Sequence, residues 1–148
     1  MVTLSKMSEI MKEIALIGFK NPKVPPSSEA AHASLLFAQV AWNRTLGHDM
    51  QDYKALLKVF LRSNPNLWSE LRSRDAEELI EIMREAKEHR YSSDLRVVLV
   101  CGMREGNVHV EWCEEKDYPQ ASVSAEKRLE SEFGPGRNIG NLKSRKGA

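Results

Sequence analysis

His32, Gln39, Asn43 and Arg44 come nearest, in type and spacing, to a reactive constellation. The first three stand at offsets of seven and four, so on a helix they fall along one side. With Arg44 adjacent, a histidine, an amide and a guanidinium lining one pocket suit the orientation of a small anion or the polarisation of a carbonyl. The ordinary alternative is preferred, because polar side chains on a packed helix usually serve neighbouring backbone groups.

A second set is cationic. Lys54, Lys58 and Arg62 recur every fourth residue, with Arg72 and Arg74 soon after, and three cations on one helical ridge suit phosphates. The acidic ridge Glu77, Glu81, Glu85 and Glu88 offers an intramolecular use for them if the two helices are neighbours, and a solvated charged face is the default. Residues 134–148 add Arg137, Lys143, Arg145 and Lys146 without a single acid. The chain's net charge of +1 is therefore −3 over residues 1–133 and +4 over the last fifteen. A basic arm on an acidic body fits contact with nucleic acid or an acidic partner, although the arm has no aromatic residue for base stacking.

Other chemistries find little support. The four histidines and two cysteines show neither HxxxH nor paired-cysteine spacing, so no metal and no cofactor is expected. GPGRNIGN lacks the strand-loop-helix setting of a phosphate loop. Cys101 and Cys113 fall in two β-rich runs, LRVVLVCGM and VHVEWCEE, joined by Arg104-Glu105-Gly106-Asn107. A two-residue Glu-Gly turn pairs Met103 with Val108, Cys101 with Val110 and Leu99 with Trp112, and sets His109 opposite Gly102. In that register the two cysteines lie on opposite faces and form no disulfide.

These residues need a scaffold, and its clearest part is the stretch Ser28–Leu46, apolar around nearly its whole circumference as only an enclosed helix tolerates. Before it, a helix from about Ser5 to Ile17 repeats Leu4, Met7, Met11 and Ile14, and the proline-rich 19–27 is a stiff loop. After it the pattern predicts a helix over Asp49–Ser63, a short one from Asn64-Pro65 offering Leu67, Trp68 and Leu71, and one capped by Asp75 and Glu78 that runs to about His89. The hairpin follows, with Trp112 on its apolar face. Tyr118–Val123 is a candidate short strand, and Ala125, Leu129 and Phe133 mark a short terminal helix ended by Gly134-Pro135-Gly136.

Helices first and strands later predict an α+β, predominantly helical fold: about five N-terminal helices packed round a buried one, one antiparallel hairpin and a short C-terminal helix. Residues 1–133 are read as one domain and 134–148 as a flexible basic tail. The composition, 41 % hydrophobic and 29 % charged, is that of a soluble chain, no run is apolar enough to span a membrane, and the charged N-terminus differs from a secretory signal, so a cytoplasmic protein is expected.

The functional expectation is a small non-catalytic interaction or regulatory protein. It joins an unidentified protein partner, or a second copy of itself, through an exposed hairpin edge, Leu95–Met103 or Val108–Glu114. The alternative is nucleic-acid association through the basic ridge and tail, and a third is an enzyme with a small polar pocket near His32.

Overall fold

α2 (Ser28–Thr45) forms the axis of the computed structural model, which describes residues 6–50 and 52–133. The Ser27 hydroxyl accepts a hydrogen bond from the Ala30 amide and opens the helix; Gly47, at φ +84°, supplies the left-handed residue just past its end. Every residue from Ala33 to Asn43 is buried, as the all-round apolar pattern required.

α1 (Met7–Leu16) lays Met7, Ile10, Met11 and Ile14 against this axis. Its end is set by space. A side chain at Gly18 would stand 2.6 Å from the Ser34 hydroxyl and 2.8 Å from the Met83 methyl, and Ser34 donates to the Ala15 carbonyl at 2.6 Å. α3 (Tyr53–Ser63) buries Tyr53, Leu56 and Leu57, and a 3-10 turn over Leu67–Glu70 inserts Leu67. α4 (Ala76–Tyr91) is capped by Asp75, whose carboxylate accepts from the amides of Glu77 and Glu78, and it buries Leu79, Ile80 and Met83.

The hairpin comprises β1 (Val97–Arg104) and β2 (Asn107–Cys113). Glu105 and Gly106 both take positive φ, 52° and 80°, the handedness that a two-residue turn needs to match strand twist. Cys101, Met103, Val108 and Val110 face the core. α2 lies against β1 and α1 against β2. A 3-10 turn over Glu115–Asp117 then leads into α5 (Tyr118–Phe133). The fold is thus α+β and dominated by helices, with one antiparallel hairpin.

Four local expectations are corrected. α3 begins at Tyr53 and not at Asp49, whose carboxylate is taken by Arg44 at 3.1 Å. Tyr118–Val123 is helical: Pro119 lies in the first turn, where an amide donor is dispensable. The predicted turn-proximal pairs hold, but a bulge between Val98 and Val100 sets Val98, not Leu99, opposite Trp112. Trp112, expected on the hairpin's apolar face as a core anchor, is 44 % exposed, while Trp42 is fully buried and Trp68 stacks on Phe37. The Gly134-Pro135-Gly136 stop lies outside the described residues.

Candidate functional site

The polar side of α2 does not close around a pocket. His32 and Arg44 are twelve residues apart on one helix, about 18 Å along its axis. The His32 ring rests near Phe60, and its Nδ1 lies 2.8 Å from the Ser28 carbonyl of its own helix. Arg44 leaves in another direction, donating from Nη1 and Nη2 to the Glu77 carboxylate at 2.9 and 3.1 Å. Tyr53 donates its hydroxyl to the same carboxylate. The guanidinium, then the phenol, hold the Glu77 pKa down to about 2, and burial with the Glu77 bond pushes Tyr53 up to about 12.

Gln39 and Asn43, both buried, reach the hairpin backbone. The Asn43 amide Oδ1 accepts from the Val98 N–H at 2.9 Å while its Nδ2 donates to the Val98 carbonyl at 2.7 Å. Gln39 Nε2 donates to the carbonyls of Leu99 at 3.1 Å and Val98 at 3.4 Å. Asn43 thereby offers Val98 what a neighbouring strand would offer, and the outer edge of β1 is closed at this point by side chains of a helix.

The two edges of the hairpin differ. In an antiparallel pair, alternate residues turn their backbone groups toward the partner strand and away from it. Counting from the two-residue turn, Arg104–Asn107, Gly102–His109 and Val100–Glu111 are the bonded pairs. The outward-facing residues are then Met103, Cys101 and Val98 on β1, and Val108, Val110 and Trp112 on β2. The Asn43 contacts at Val98 agree with this count. No further strand of the described residues lies beside β2.

Trp112 stands at the end of that edge with the Arg96 guanidinium 5.1 Å from its ring centre. Arg96 is itself buried and held, donating from Nη2 to Asp94 Oδ2 at 2.6 Å and from Nε to Oδ1 at 2.9 Å. Behind it, the Trp42 indole donates to the Arg96 carbonyl at 2.6 Å, and Lys87 Nζ donates to the Asp94 carbonyl at 2.9 Å from 4.7 Å over the Trp42 ring. Burial lowers the Lys87 pKa, partly countered by Asp94, and the ion pair holds Asp94 low against its own desolvation. Sequence reasoning missed this group. Lys87 continues the inward spacing of Ile80 and Met83, which was the available signal.

The basic ridge is exposed. Lys54, Lys58 and Arg62 line the outer side of α3, and three acidic residues of α4 pair with arginines: Glu77 with Arg44, Glu81 and Glu88 with Arg84. The anticipated ridge-to-ridge complement is reduced to one edge, where the Lys54 charge helps the Arg44 and Tyr53 bonds to lower the Glu77 pKa. An isolated antiparallel bridge, Phe19 to Leu71, brings the loop after α1 beside the segment after α3, with the Lys20 amide donating to the Glu70 carbonyl at 2.9 Å. Residues 19–28 and 53–74 hold seven cations and one carboxylate, Glu70. That carboxylate is occupied by the Ser27 hydroxyl at 2.6 Å and amide at 2.7 Å, which lower its pKa. Arg137, Lys143, Arg145 and Lys146 lie outside the described residues.

The cysteines are free. Burial pushes the Cys101 thiol up to about 12, and the Cys113 thiol is raised by burial and the nearby Asp117 and Glu115 carboxylates, the reverse of an activated nucleophile. His109 pairs with Glu111 at 3.0 Å on its own strand, not with Cys113. Among the described residues no group of three or more His, Cys, Asp or Glu side chains is placed to hold a metal ion, and no helix is long and apolar enough to cross a membrane. No family model matches the chain, and no curated protein or solved structure matches it.

Proposed function

We propose that this protein is a binding module that recruits a protein partner along the outer edge of β2. The observation that carries the reading is the asymmetry of the hairpin: Asn43 and Gln39 clasp the edge of β1 at Val98, while the outward backbone groups of Val108, Val110 and Trp112 face no strand of the described residues. An unpaired strand edge is a template for strand addition, in which backbone bonds supply affinity and neighbouring side chains supply selectivity. Trp112 fits the second role. It is exposed yet already ordered against Arg96, which is fixed by Asp94, and tryptophan with arginine is the composition of binding hot spots.

A second reading rests on the Phe19–Leu71 bridge, which joins Lys20, Lys23, Arg72 and Arg74 to the α3 ridge as a cationic face suited to phosphates. Affinity capture with the full chain separates the two. A protein retained at moderate salt by wild type and lost with Trp112→Lys supports the edge reading. Nuclease-sensitive material that is lost on raising salt, and lost with Lys54→Glu and Lys58→Glu together, replaces it with the second.

A further inference from the structure

The β2 edge is complementary to itself. Val108, Val110 and Trp112 carry the outward backbone groups, and they are symmetric about Val110 in number and in spacing. Turned antiparallel against another β2 and centred on Val110, each outward residue meets an outward residue, giving about six backbone hydrogen bonds. The side chains then agree with the backbone. Val110 faces its own copy, each Val108 faces Trp112 of the second copy as a β-branched and aromatic pair, and each His109, already 3.0 Å from Glu111 of its own strand, also faces Glu111 of the second copy.

Neighbouring registers are worse. Centring on Glu111 sets that carboxylate against itself, and centring on His109 sets the imidazole against itself, with one outward residue left unmatched in each case. The preferred register also covers an exposed tryptophan, at 44 % the side chain of β2 most in need of a neighbour. The Glu-Gly turn, the pairing with β1 that Asn43 holds at Val98, and the packing of α1 against β2 place the strand before any partner arrives.

We propose that the occupant of the β2 edge is a second copy of this chain, paired antiparallel to it in the register centred on Val110. This rests on the edge-binding reading above and names its partner. The interface is one short strand pair, in the size range of transient contacts, so the dimer is expected to be micromolar or weaker.

Two charge variants of the full chain read the register directly. Glu111→Lys alone sets a new ammonium against His109 of the second copy, and His109→Glu alone sets a new carboxylate against Glu111 of the second copy. Each is expected to lose self-affinity by about tenfold in sedimentation equilibrium. An equimolar mixture regains the dimer, because in the mixed species an acid faces a base at both of these cross-strand pairs. Far-UV circular dichroism of each variant checks that the fold is kept, and amide hydrogen exchange at Val108, Val110 and Trp112 of the wild type gives a second readout. A wild-type dimer, restored by mixing and protecting those three amides as concentration rises, is the expected result. A monomer with those amides exchanging freely overturns the second copy while the open edge still stands. A monomer with the amides protected shows the edge covered within the chain, and overturns both. A dimer indifferent to the charge swap uses another surface, and overturns the proposal.

Discussion

The two long edges of the hairpin are built from similar residues and part company at the Val98–Trp112 pair, away from the turn. β1 presents Val98 to α2, where Asn43 and Gln39 bond its N–H and carbonyl in the interior. β2 presents Val108, Val110 and Trp112 outward, with Trp112 partly in solvent. A helix can close a strand edge only by placing amide side chains at the height of the outward backbone groups. α2 does this at Val98, beside the bulge. The lesson is that burial alone does not protect an edge; it protects it only where donors and acceptors are matched.

Removing the clasp is expected to have the largest effect on the hairpin. Asn43→Ala leaves the buried Val98 N–H without its acceptor and the Val98 carbonyl with only the longer Gln39 contact. An unmatched buried backbone group costs about 1–3 kcal/mol, and urea unfolding is expected to show a loss in the upper part of that range. A loss below ~1 kcal/mol would mean that the edge of β1 is satisfied in some other way and that the two edges are not distinct.

Asn43 also shows where sequence reasoning stops. Its place on the polar side of a buried helix was legible from spacing, and so were the burial of α2, the two-residue turn and the inward stripes of α1, α3 and α4. Its partner was not legible, because Val98 lies 55 residues away and contributes backbone, which no pattern of side chains announces. The bulge has the same cause. A strict alternation puts Leu99 opposite Trp112, whereas the pairing observed depends on a contact between a helix and a strand edge. The cluster of Lys87, Asp94 and Arg96 was hidden by its charge, since charged residues default to the surface unless their partners are known. The cationic segments were half visible: Lys54, Lys58, Arg62, Arg72 and Arg74 stand close in sequence, and only the Phe19–Leu71 bridge brings the loop of Lys20 and Lys23 beside the segment of Arg72 and Arg74.

A milder disturbance sharpens the account of the closed side. Arg44 follows Asn43, and its bond to Glu77, with Tyr53 on the same carboxylate, braces the end of α2 that carries the clasp. The Glu77 pKa is depressed from 4.5 to about 2 in the folded chain, so its contribution is fully present above pH 4.5 and is lost as pH falls toward 2. The stability gap between wild type and Glu77→Gln is therefore expected to close over that window. Because 51 % of the Glu77 side chain is exposed, screening by solvent keeps the gap at neutral pH to ~1 kcal/mol or less. A gap unchanged between about pH 5 and about pH 2.5 would show that the brace acts through packing and not through charge.

The smallest effect on stability is expected on the open side. Trp112→Ser removes a large side chain, but one that is 44 % exposed and whose main described neighbour, Arg96, keeps its bonds to Asp94. The cross-strand partner Val98 keeps its clasp to Asn43, so the loss should stay near ~1 kcal/mol, the scale of one cation–π contact and a partial burial. Measured beside Asn43→Ala, the two variants address the same strand pair from its two edges. A large loss for Trp112→Ser would place Trp112 among the residues that hold the hairpin down, and the open edge would then be part of the fold's own support. A small loss, with Asn43→Ala costing severalfold more, separates an edge that the fold uses from one it leaves for binding.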